Sequence, residues 1–351
     1  MLTSIGRHRA TWIAAAIACV FVTTAWGADS DQPTVQKIVA SLKDPRGVAV
    51  RPDGAATVYE VFVAEGGAGR IVKIRSDQPE KTTEAITGFS TKAGSSKPGG
   101  IYSIQFLDHM RLVAAGGDEE GAPFVRLYEL PEPEAPVTAD RFKHEAGVPE
   151  GEKPASFKPV IFRSIARTQP NERVGDFILA LAPSEGEPAG MVYVPIRAGS
   201  LGDSVLASFP AGAGDLEIGA MSVGKNGYVT AATNPAADPG QPSQIAFLSP
   251  LDRRIVMQLS TQLKRISAIA YSPKTGNLYV ASAVASGDMP AGVYRIDRDE
   301  SRGTSTTAVK IAEVRNPTAL AFSPDGTLYV TSTDDKAEGG AGSLWKLSGN
   351  L

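Results

Sequence analysis

The sequence predicts an all-β fold, a six-bladed β-propeller that follows an N-terminal signal peptide. One unit of three short apolar strands and their turns occurs six times along the chain, and such internal repetition is typical of propellers. The 36 glycines and 25 prolines are spread over the whole length, as many tight turns require. Each copy would occupy about 54 residues of the mature chain, close to the length of a four-stranded blade, roughly 40 to 50 residues.

The first 27 residues predict a secretory signal peptide. Arg7 and Arg9 precede an uncharged run from Ala10 to Trp26, and this run is shorter than the roughly 20 residues that span a bilayer. Cleavage near Gly27 would leave a mature propeller, residues 28–351, in the periplasm or outside the cell, without an integral membrane segment. Lipidation at Cys19 is the alternative, but the leucine usual three residues before a lipidated cysteine is absent.

The composition of the mature chain excludes several classes of function. Cys19 is the only cysteine, so cleavage would leave no disulfide, no thiolate metal site and no cysteine nucleophile. Without the two leader arginines the chain has 33 basic and 38 acidic residues. An acidic chain without a basic stretch is not expected to bind nucleic acid.

Three strands recur in each copy. Strand A is short and apolar, and it is predicted at residues 47–50, 102–106, 160–165, 218–223, 266–271 and 318–322. A turn follows, seen most clearly at Pro324-Asp325-Gly326, and then strand B, which is β-branched and aromatic. Strand C has a large apolar residue at one recurring position, namely Val72, Tyr128, Tyr193, Phe247, Tyr294 and Trp345. A β-sandwich is the rival fold, but six matched units favour the propeller.

The last copy has no fourth strand of its own. Fourth strands are predicted at residues 84–87, 205–209, 256–260 and 309–314, whereas the chain stops soon after Leu347. Residues 35–40 have the same apolar alternation, so we expect them to complete the last blade and close the ring.

Residues 131–159 are rich in Pro, Glu, Ala and Lys without an apolar period, and they predict an exposed insertion between blades 2 and 3.

Two segments resemble known propeller repeats. Residues 44–54 with 61–65 and 69–74 resemble an NHL-type repeat, and residues 316–330 are similar to a blade of the gluconolactonase and senescence-marker-protein superfamily. The second resemblance implies a divalent metal held in the channel by Glu, Asn and Asp. However, Arg46 and Thr318 occupy the positions where the asparagine is expected, so the set of metal ligands implied by the resemblance is not expected in this chain. NHL-type propellers are more often binding platforms, and the resemblance implies a binding role.

Carboxylates occur in the B-C loop of every copy, which places them on one face of the propeller. Among them Asp118, Glu119, Asp334 and Asp335 are the candidate ligands of a hard cation, calcium. The alternative is a solvated rim, since exposed loops are polar in any case. No other cofactor is indicated.

The links that enter strand A lie on the same face. They carry Arg46, Arg265, Arg315 and Asn316, and with Glu65 of the first B-C loop these are the candidate ligand-binding residues. Their mixture of charge and amide suits a small polar ligand or a protein partner. Ordinary solvation is the alternative.

Catalytic signals are few. The mature chain has two histidines, His109 and His144, too few for a histidine-based zinc site. Soluble quinoprotein sugar dehydrogenases, which are also six-bladed, rely on a channel histidine, and neither histidine here begins an inner strand. A nucleophile elbow and a phosphate-binding loop are absent from the sequence. The main hypothesis is therefore a non-catalytic exported propeller that binds a partner or small polar ligand, and the alternative is a divalent-metal-dependent lactonase or related hydrolase.

Overall fold

A computed structural model describes residues 32–52, 58–91, 99–120, 122–130, 135–148, 161–168, 175–184, 187–208, 216–235, 240–252, 254–298, 305–334 and 341–351, without the side chains of 182–189 and 207–218. The predicted signal peptide and Asp335 lie outside these ranges. In the described ranges every regular element is a strand. No helix long and apolar enough to cross a membrane occurs in them.

The strands form six sheets, one for each blade. In chain order they are β1 Thr34–Lys43, β2 Pro45–Val50, β3 Glu60–Glu65, β4 Arg70–Arg75, β5 Gln78–Thr87, β6 Gly100–Phe106, β7 Arg111–Gly117, β8 Pro123–Glu129, β9 Val137–Thr138, β10 His144–Ala146, β11 Ser164–Arg167, β12 Phe177–Ser184, β13 Glu187–Arg197, β14 Ser200–Leu201, β15 Val205–Ser208, β16 Leu216–Val223, β17 Val229–Pro235, β18 Gln244–Ser249, β19 Arg254–Ser260, β20 Lys264–Tyr271, β21 Leu278–Val284, β22 Gly292–Arg298, β23 Thr306–Glu313, β24 Pro317–Phe322, β25 Leu328–Thr333 and β26 Ala341–Ser348.

Each blade is built on an antiparallel meander whose first strand lies innermost, and in blade 1 the short β9 adds a parallel strand beside β5. The inner strands of blades 1 to 6 are β2, β6, β11, β16, β20 and β24. Consecutive inner strands are neighbours around the ring, and β24 lies against β2. The fold is thus the predicted six-bladed propeller.

The N-terminal strand closes the last blade, as the sequence predicted. β1 pairs antiparallel with β26, with Val35 opposite Leu347 and Lys37 opposite Trp345. Most of β1 is exposed, but Leu42 at its end is buried in a core shared with β2 and β3. Strand pairing and the burial of Leu42 therefore both contribute to closure.

The core that the described residues form is divided into six apolar clusters, each of which joins two neighbouring blades. One combines Phe62 of blade 1 with Phe106 of blade 2, whose rings meet edge to face at 4.9 Å. Faces of adjacent sheets can bury their apolar residues only against each other, because a single four-stranded sheet has no other partner. The stability of each blade thus depends on its neighbours.

Two regions differ from the sequence prediction. The third inner strand is Ser164–Arg167 rather than 160–165. Part of the segment 131–159, predicted as an exposed insertion, forms β9 and β10, and β10 is the outer strand of blade 2. Ala139, Ala146 and Val148 of this segment are buried. Strands of two or three residues are too short to show a period, so composition dominated the prediction.

Candidate functional site: the central channel

The six inner strands enclose a channel of about 770 Å3. All inner strands run in the same direction, so their first residues surround one end and their last residues the other. We call the first end the mouth, formed by Arg46, Tyr102, Arg163, Gly219, Ser267 and Thr318, and the other end the base, which includes Leu107, Arg167 and Tyr271. Because Pro45 pairs with Glu65, the mouth lies on the face with the B-C loops.

A β-bulge at the start of the inner strand shapes the mouth. In five blades the pairing shifts by one residue there, and the extra residues are Arg46, Tyr102, Gly219, Ser267 and Thr318. A bulge re-aims the side chain it carries, and all five residues line the channel. Two residues earlier, Asp44, Arg265 and Asn316 have φ of 46°, 49° and 42°, a left-handed conformation that is uncommon outside glycine.

Arg46 is held firmly at the mouth. Its Nε donates to Asp44 Oδ2 at 2.7 Å, and its Nη2 lies 2.5 Å from the same oxygen. The guanidinium carbon lies 4.1 Å from the centre of the Tyr102 ring. The third nitrogen, Nη1, is buried and has no hydrogen-bond partner. Arg46 is therefore a positioned guanidinium with one nitrogen, Nη1, that has no partner.

Glu65, a predicted ligand-binding residue, is instead buried in the loop structure. Its carboxylate accepts hydrogen bonds from the Lys43 amide and from Arg70 Nε, both at 2.6 Å. The Gly66 amide donates to the Asp44 carbonyl at 3.0 Å. These bonds connect the first B-C loop to the link that precedes Arg46. Glu65 therefore stabilises the backbone that carries Arg46.

The other predicted ligand-binding residues stand outside the channel lining. Arg265 and Arg315 are exposed, and Asn316 is half-buried with its carbonyl accepting from the Thr333 amide at 3.1 Å. Of the five predicted residues the structure places only Arg46 in the channel.

The predicted cation ligands are not gathered in the described part of the chain. Asp118 Oδ1 accepts from the amides of Glu120 and Ala122, which is a local turn, and Glu119 and Asp334 are exposed. Among the described residues no group of three or more His, Cys, Asp or Glu side chains could hold a metal ion. Because Asp335 lies outside them, the calcium site stays a prediction, to be checked by calcium titration of the melting temperature.

The hydroxyls of the mouth hold neighbouring inner strands together. Thr318 Oγ1 donates to the Pro45 carbonyl at 2.6 Å and Ser267 Oγ to the Pro317 carbonyl at 2.5 Å. Ser164 Oγ accepts from the Met221 amide at 3.0 Å. These groups satisfy backbone polar atoms between blades, which leaves them engaged before any ligand arrives.

The base of the channel has a different arginine. Arg167 makes a two-pronged ion pair with Asp176, at 2.9 and 2.7 Å, and its Nη1 donates to the Leu107 carbonyl at 2.5 Å. The hydrogen bonds that Arg167 donates to the Asp176 carboxylate raise the pKa of Arg167 above its ordinary value, against the opposing effect of burial. Tyr271 shares a 2.7 Å hydrogen bond with Thr230, and burial raises the pKa of its hydroxyl.

Sequence reasoning missed Tyr102, Gln105, Arg163 and Arg167, all of which line the channel. Arg163 and Arg167 are four residues apart, a spacing that puts both on one face of an extended chain. The misplaced third inner strand hid this signal. His109 and His144 are both exposed and do not line the channel.

Comparisons with known proteins support the fold. No protein-family model matches the sequence, and no curated protein matches it significantly. A solved structure described as a gluconolactonase from Xanthomonas campestris superposes with a TM-score of 0.58 at 12% identity, covering 90% of this chain and 89% of that one. Another, described as a glucose dehydrogenase, superposes with a TM-score of 0.57 at 12% identity, covering 91% and 100%. The expected likeness to gluconolactonase-like propellers is confirmed for the fold.

Proposed function

We propose that the protein binds a small polar ligand in its central channel, entering at the mouth. One observation carries this proposal: the mouth combines a positioned arginine, an aromatic face and a channel of about 770 Å3. Small-molecule sites are concave, commonly hold 300 to roughly 1,000 Å3, and use a few placed polar groups. Of the ligand-binding residues predicted from the sequence, only Arg46 belongs to this site, together with its neighbours on the inner strands.

Hydrolysis of a sugar lactone is the second candidate, supported by the likeness to the gluconolactonase. The superfamily resemblance implies a divalent cation in the channel, but the residues present do not fit one. The charged residues of the described lining are Arg46, Arg163 and Arg167, and carboxylates are missing from that lining. Hard cations take oxygen ligands, and three guanidiniums would repel them. A lactonase built on this channel would instead use arginine to stabilise the developing oxyanion.

A ligand screen tests the main proposal. The purified mature protein is melted with a panel of sugars, sugar acids and amino acids, and crystals soaked in each stabilising compound locate it. A ligand at a hundredfold excess over its Kd should add about 2.7 kcal/mol to the free energy of unfolding. If no compound of the panel raises the melting temperature, or if the bound compound lies outside the channel, the proposal is wrong.

A lactone assay separates the two candidates. Glucono-1,5-lactone is followed by pH-stat with the protein, with the protein plus EDTA, and without protein. Binding without catalysis predicts equal rates in all three. Hydrolysis that is still accelerated in EDTA would favour a lactonase that uses arginine. Acceleration that EDTA abolishes would indicate a metal-dependent lactonase and would contradict the conclusion that the channel residues do not fit a metal ion.

A further inference from the structure

We infer that the closing strand β1 and the channel mouth are energetically coupled, so that detaching β1 from blade 6 releases Arg46. The coupling runs through Asp44, the one residue between β1 and β2, and through the buried carboxylate of Glu65. It gives β1, which forms the outer edge of blade 6, a second role in positioning a channel residue.

Asp44 makes contacts in two directions. Its carbonyl accepts from the Gly66 amide at 3.0 Å, and its carboxylate accepts from Arg46 Nε at 2.7 Å. The Asp44 backbone is left-handed, with a φ of 46°. In a residue other than glycine such a conformation persists only where neighbouring groups hold it. The position of the Asp44 carboxylate therefore depends on the hydrogen bonds of the link between β1 and β2.

Glu65 anchors the β1 side of this link. Its side chain is buried, and its two oxygens accept from the Lys43 amide and from Arg70 Nε, both at 2.6 Å. The Lys43 carbonyl in turn accepts from the Gly67 amide at 3.2 Å. A buried carboxylate that loses a donor is disfavoured, because water does not replace that donor. The end of β1 and the loop that supports Arg46 are therefore expected to separate only together.

The rest of β1 is held less tightly. Leu42 is the one buried residue among its ten. The pairing with β26 shifts register twice, between Lys37 and Val39 and between Val39 and Leu42. Segments with few buried apolar contacts and exposed backbone hydrogen bonds open at a lower free energy than the core. We therefore expect an open state in which β1 is detached while the blades stay folded.

The contacts of the link distinguish the two states. In the closed state β1 is anchored on Glu65, and the Asp44 carboxylate holds Arg46. In the open state the link relaxes, and Arg46 loses this carboxylate. Coupling between two sites is reciprocal. Removing the guanidinium should therefore favour the opening of β1, and loosening β1 should free the guanidinium.

Hydrogen exchange of the mature protein, measured by mass spectrometry in peptides from residues 34–43, tests the first direction. Arg46→Met should speed exchange there at least fivefold, because it removes the ion pair that stabilises the closed link, and Asp44→Asn should do the same. The double variant should exchange no faster than either single variant, since both remove one interaction. Exchange in β21 and β22 should stay unchanged, which separates local opening from global unfolding.

Arg265→Met is the matched control. Arg265 is an exposed arginine in the left-handed position of the corresponding link of blade 5. This variant should exchange as the wild type does in residues 34–43.

Leu42→Ala tests the reverse direction, because it removes the buried anchor of β1. Phenylglyoxal, which reacts with accessible guanidiniums, should modify Arg46 at least threefold faster in this variant, while Arg167 at the base should react at the wild-type rate. Glu65→Gln is a second variant that keeps the shape of the side chain and weakens the acceptor of the Lys43 amide. It should raise both the exchange of residues 34–43 and the modification rate of Arg46.

Two results would overturn the coupling. One is wild-type exchange of residues 34–43 in Arg46→Met and Asp44→Asn, or acceleration that is equal in β21 and β22. The other is an unchanged modification rate of Arg46 in Leu42→Ala or Glu65→Gln when residues 34–43 exchange faster. Both results would leave the proposed channel ligand standing, because neither measurement uses a ligand.

Discussion

The two ends of the channel use the same residue type in different ways. At the base, every nitrogen of Arg167 has a protein acceptor although 28% of the side chain is exposed. At the mouth, Arg46 is only 16% exposed, yet its Nη1 has none. Exposure alone would rank Arg167 as the functional arginine. The hydrogen bonds rank them the other way, because all three nitrogens of Arg167 have protein acceptors, whereas Arg46 keeps one nitrogen without a protein partner.

The largest expected effect of this difference is on stability. Arg167→Met would leave the carboxylate of Asp176 and the Leu107 carbonyl unpaired, and we expect a loss of about 2–3 kcal/mol. Arg46→Met would also unpair a carboxylate, that of Asp44, but it breaks no hydrogen bond to a backbone carbonyl and removes a nitrogen that is already unpartnered, so we expect a smaller loss of about 1 kcal/mol. Urea unfolding of both variants measures the contrast. Adding Asp176→Asn to Arg167→Met should recover part of the loss, and equal stabilities for the two single variants would contradict the distinction.

The Thr318 hydroxyl at the mouth should contribute to stability, as Arg167 does at the base, and should not contribute to ligand affinity as Arg46 does. Thr318→Val removes the donor to the Pro45 carbonyl between blades 6 and 1, and we expect a loss of about 1 kcal/mol in the free energy of unfolding. Ligand affinity should not change, because this hydroxyl is already engaged. Thermal unfolding and titration of the same preparation measure both. A variant that loses affinity at unchanged stability would place Thr318 among the ligand contacts.

Gly66 tests whether the position of Arg46 matters apart from its charge. A Cβ at Gly66 would lie 2.7 Å from Arg46 Nε and 2.8 Å from its Cδ, so Gly66→Ala should displace the guanidinium from Asp44 and Tyr102. Because the obstacle is a flexible side chain, we expect a stability loss below about 1 kcal/mol but a clear loss of ligand affinity. Gly147→Ala is the matched control, since its Cβ would meet nothing closer than 3.6 Å. Equal affinities in the two variants would show that the orientation of Arg46 is unimportant.

The smallest effect is expected in the pH dependence of the base. Burial would raise the pKa of Asp108, but hydrogen bonds from the Arg111 side chain and from the Met110 and Arg111 amides outweigh it and lower that pKa. Burial likewise opposes the bonds from Ser323 and Thr327 that lower the pKa of Asp325. Because both folded values lie below the unfolded ones, this stabilisation is complete above about pH 4 and is lost as the pH falls further.

Asp108→Asn and Asp325→Asn should therefore be less stable than the wild type at pH 7, with the difference shrinking as the pH falls below about 4. Thermal unfolding between pH 2 and 7 measures it. A difference that stays constant over this range would show that the carboxylates act through shape rather than charge.

Residue patterns along the chain were sufficient for the fold and insufficient for the site. Repetition of strands A to C predicted six blades, and the alternation in residues 35–40 predicted the strand that closes the ring, because apolar periodicity is a local property of the sequence. The outer strand β10 escaped detection since three residues carry no measurable period. For the same reason the third inner strand was predicted a few residues too early, and Arg163 and Arg167 were not recognised as channel residues.

By itself, the sequence determined the number of blades, the pairing of the two ends and the presence of charged residues at the entry to the inner strands. Only the tertiary structure decided which of those residues face the channel. Glu65 is buried in its loop and Arg265 is exposed outside the lining, whereas Arg46 points into the mouth. The physical reason is that a bulge of one residue reverses the direction of a side chain, and whether a donor remains unpaired depends on neighbours from other blades, which sequence spacing does not specify.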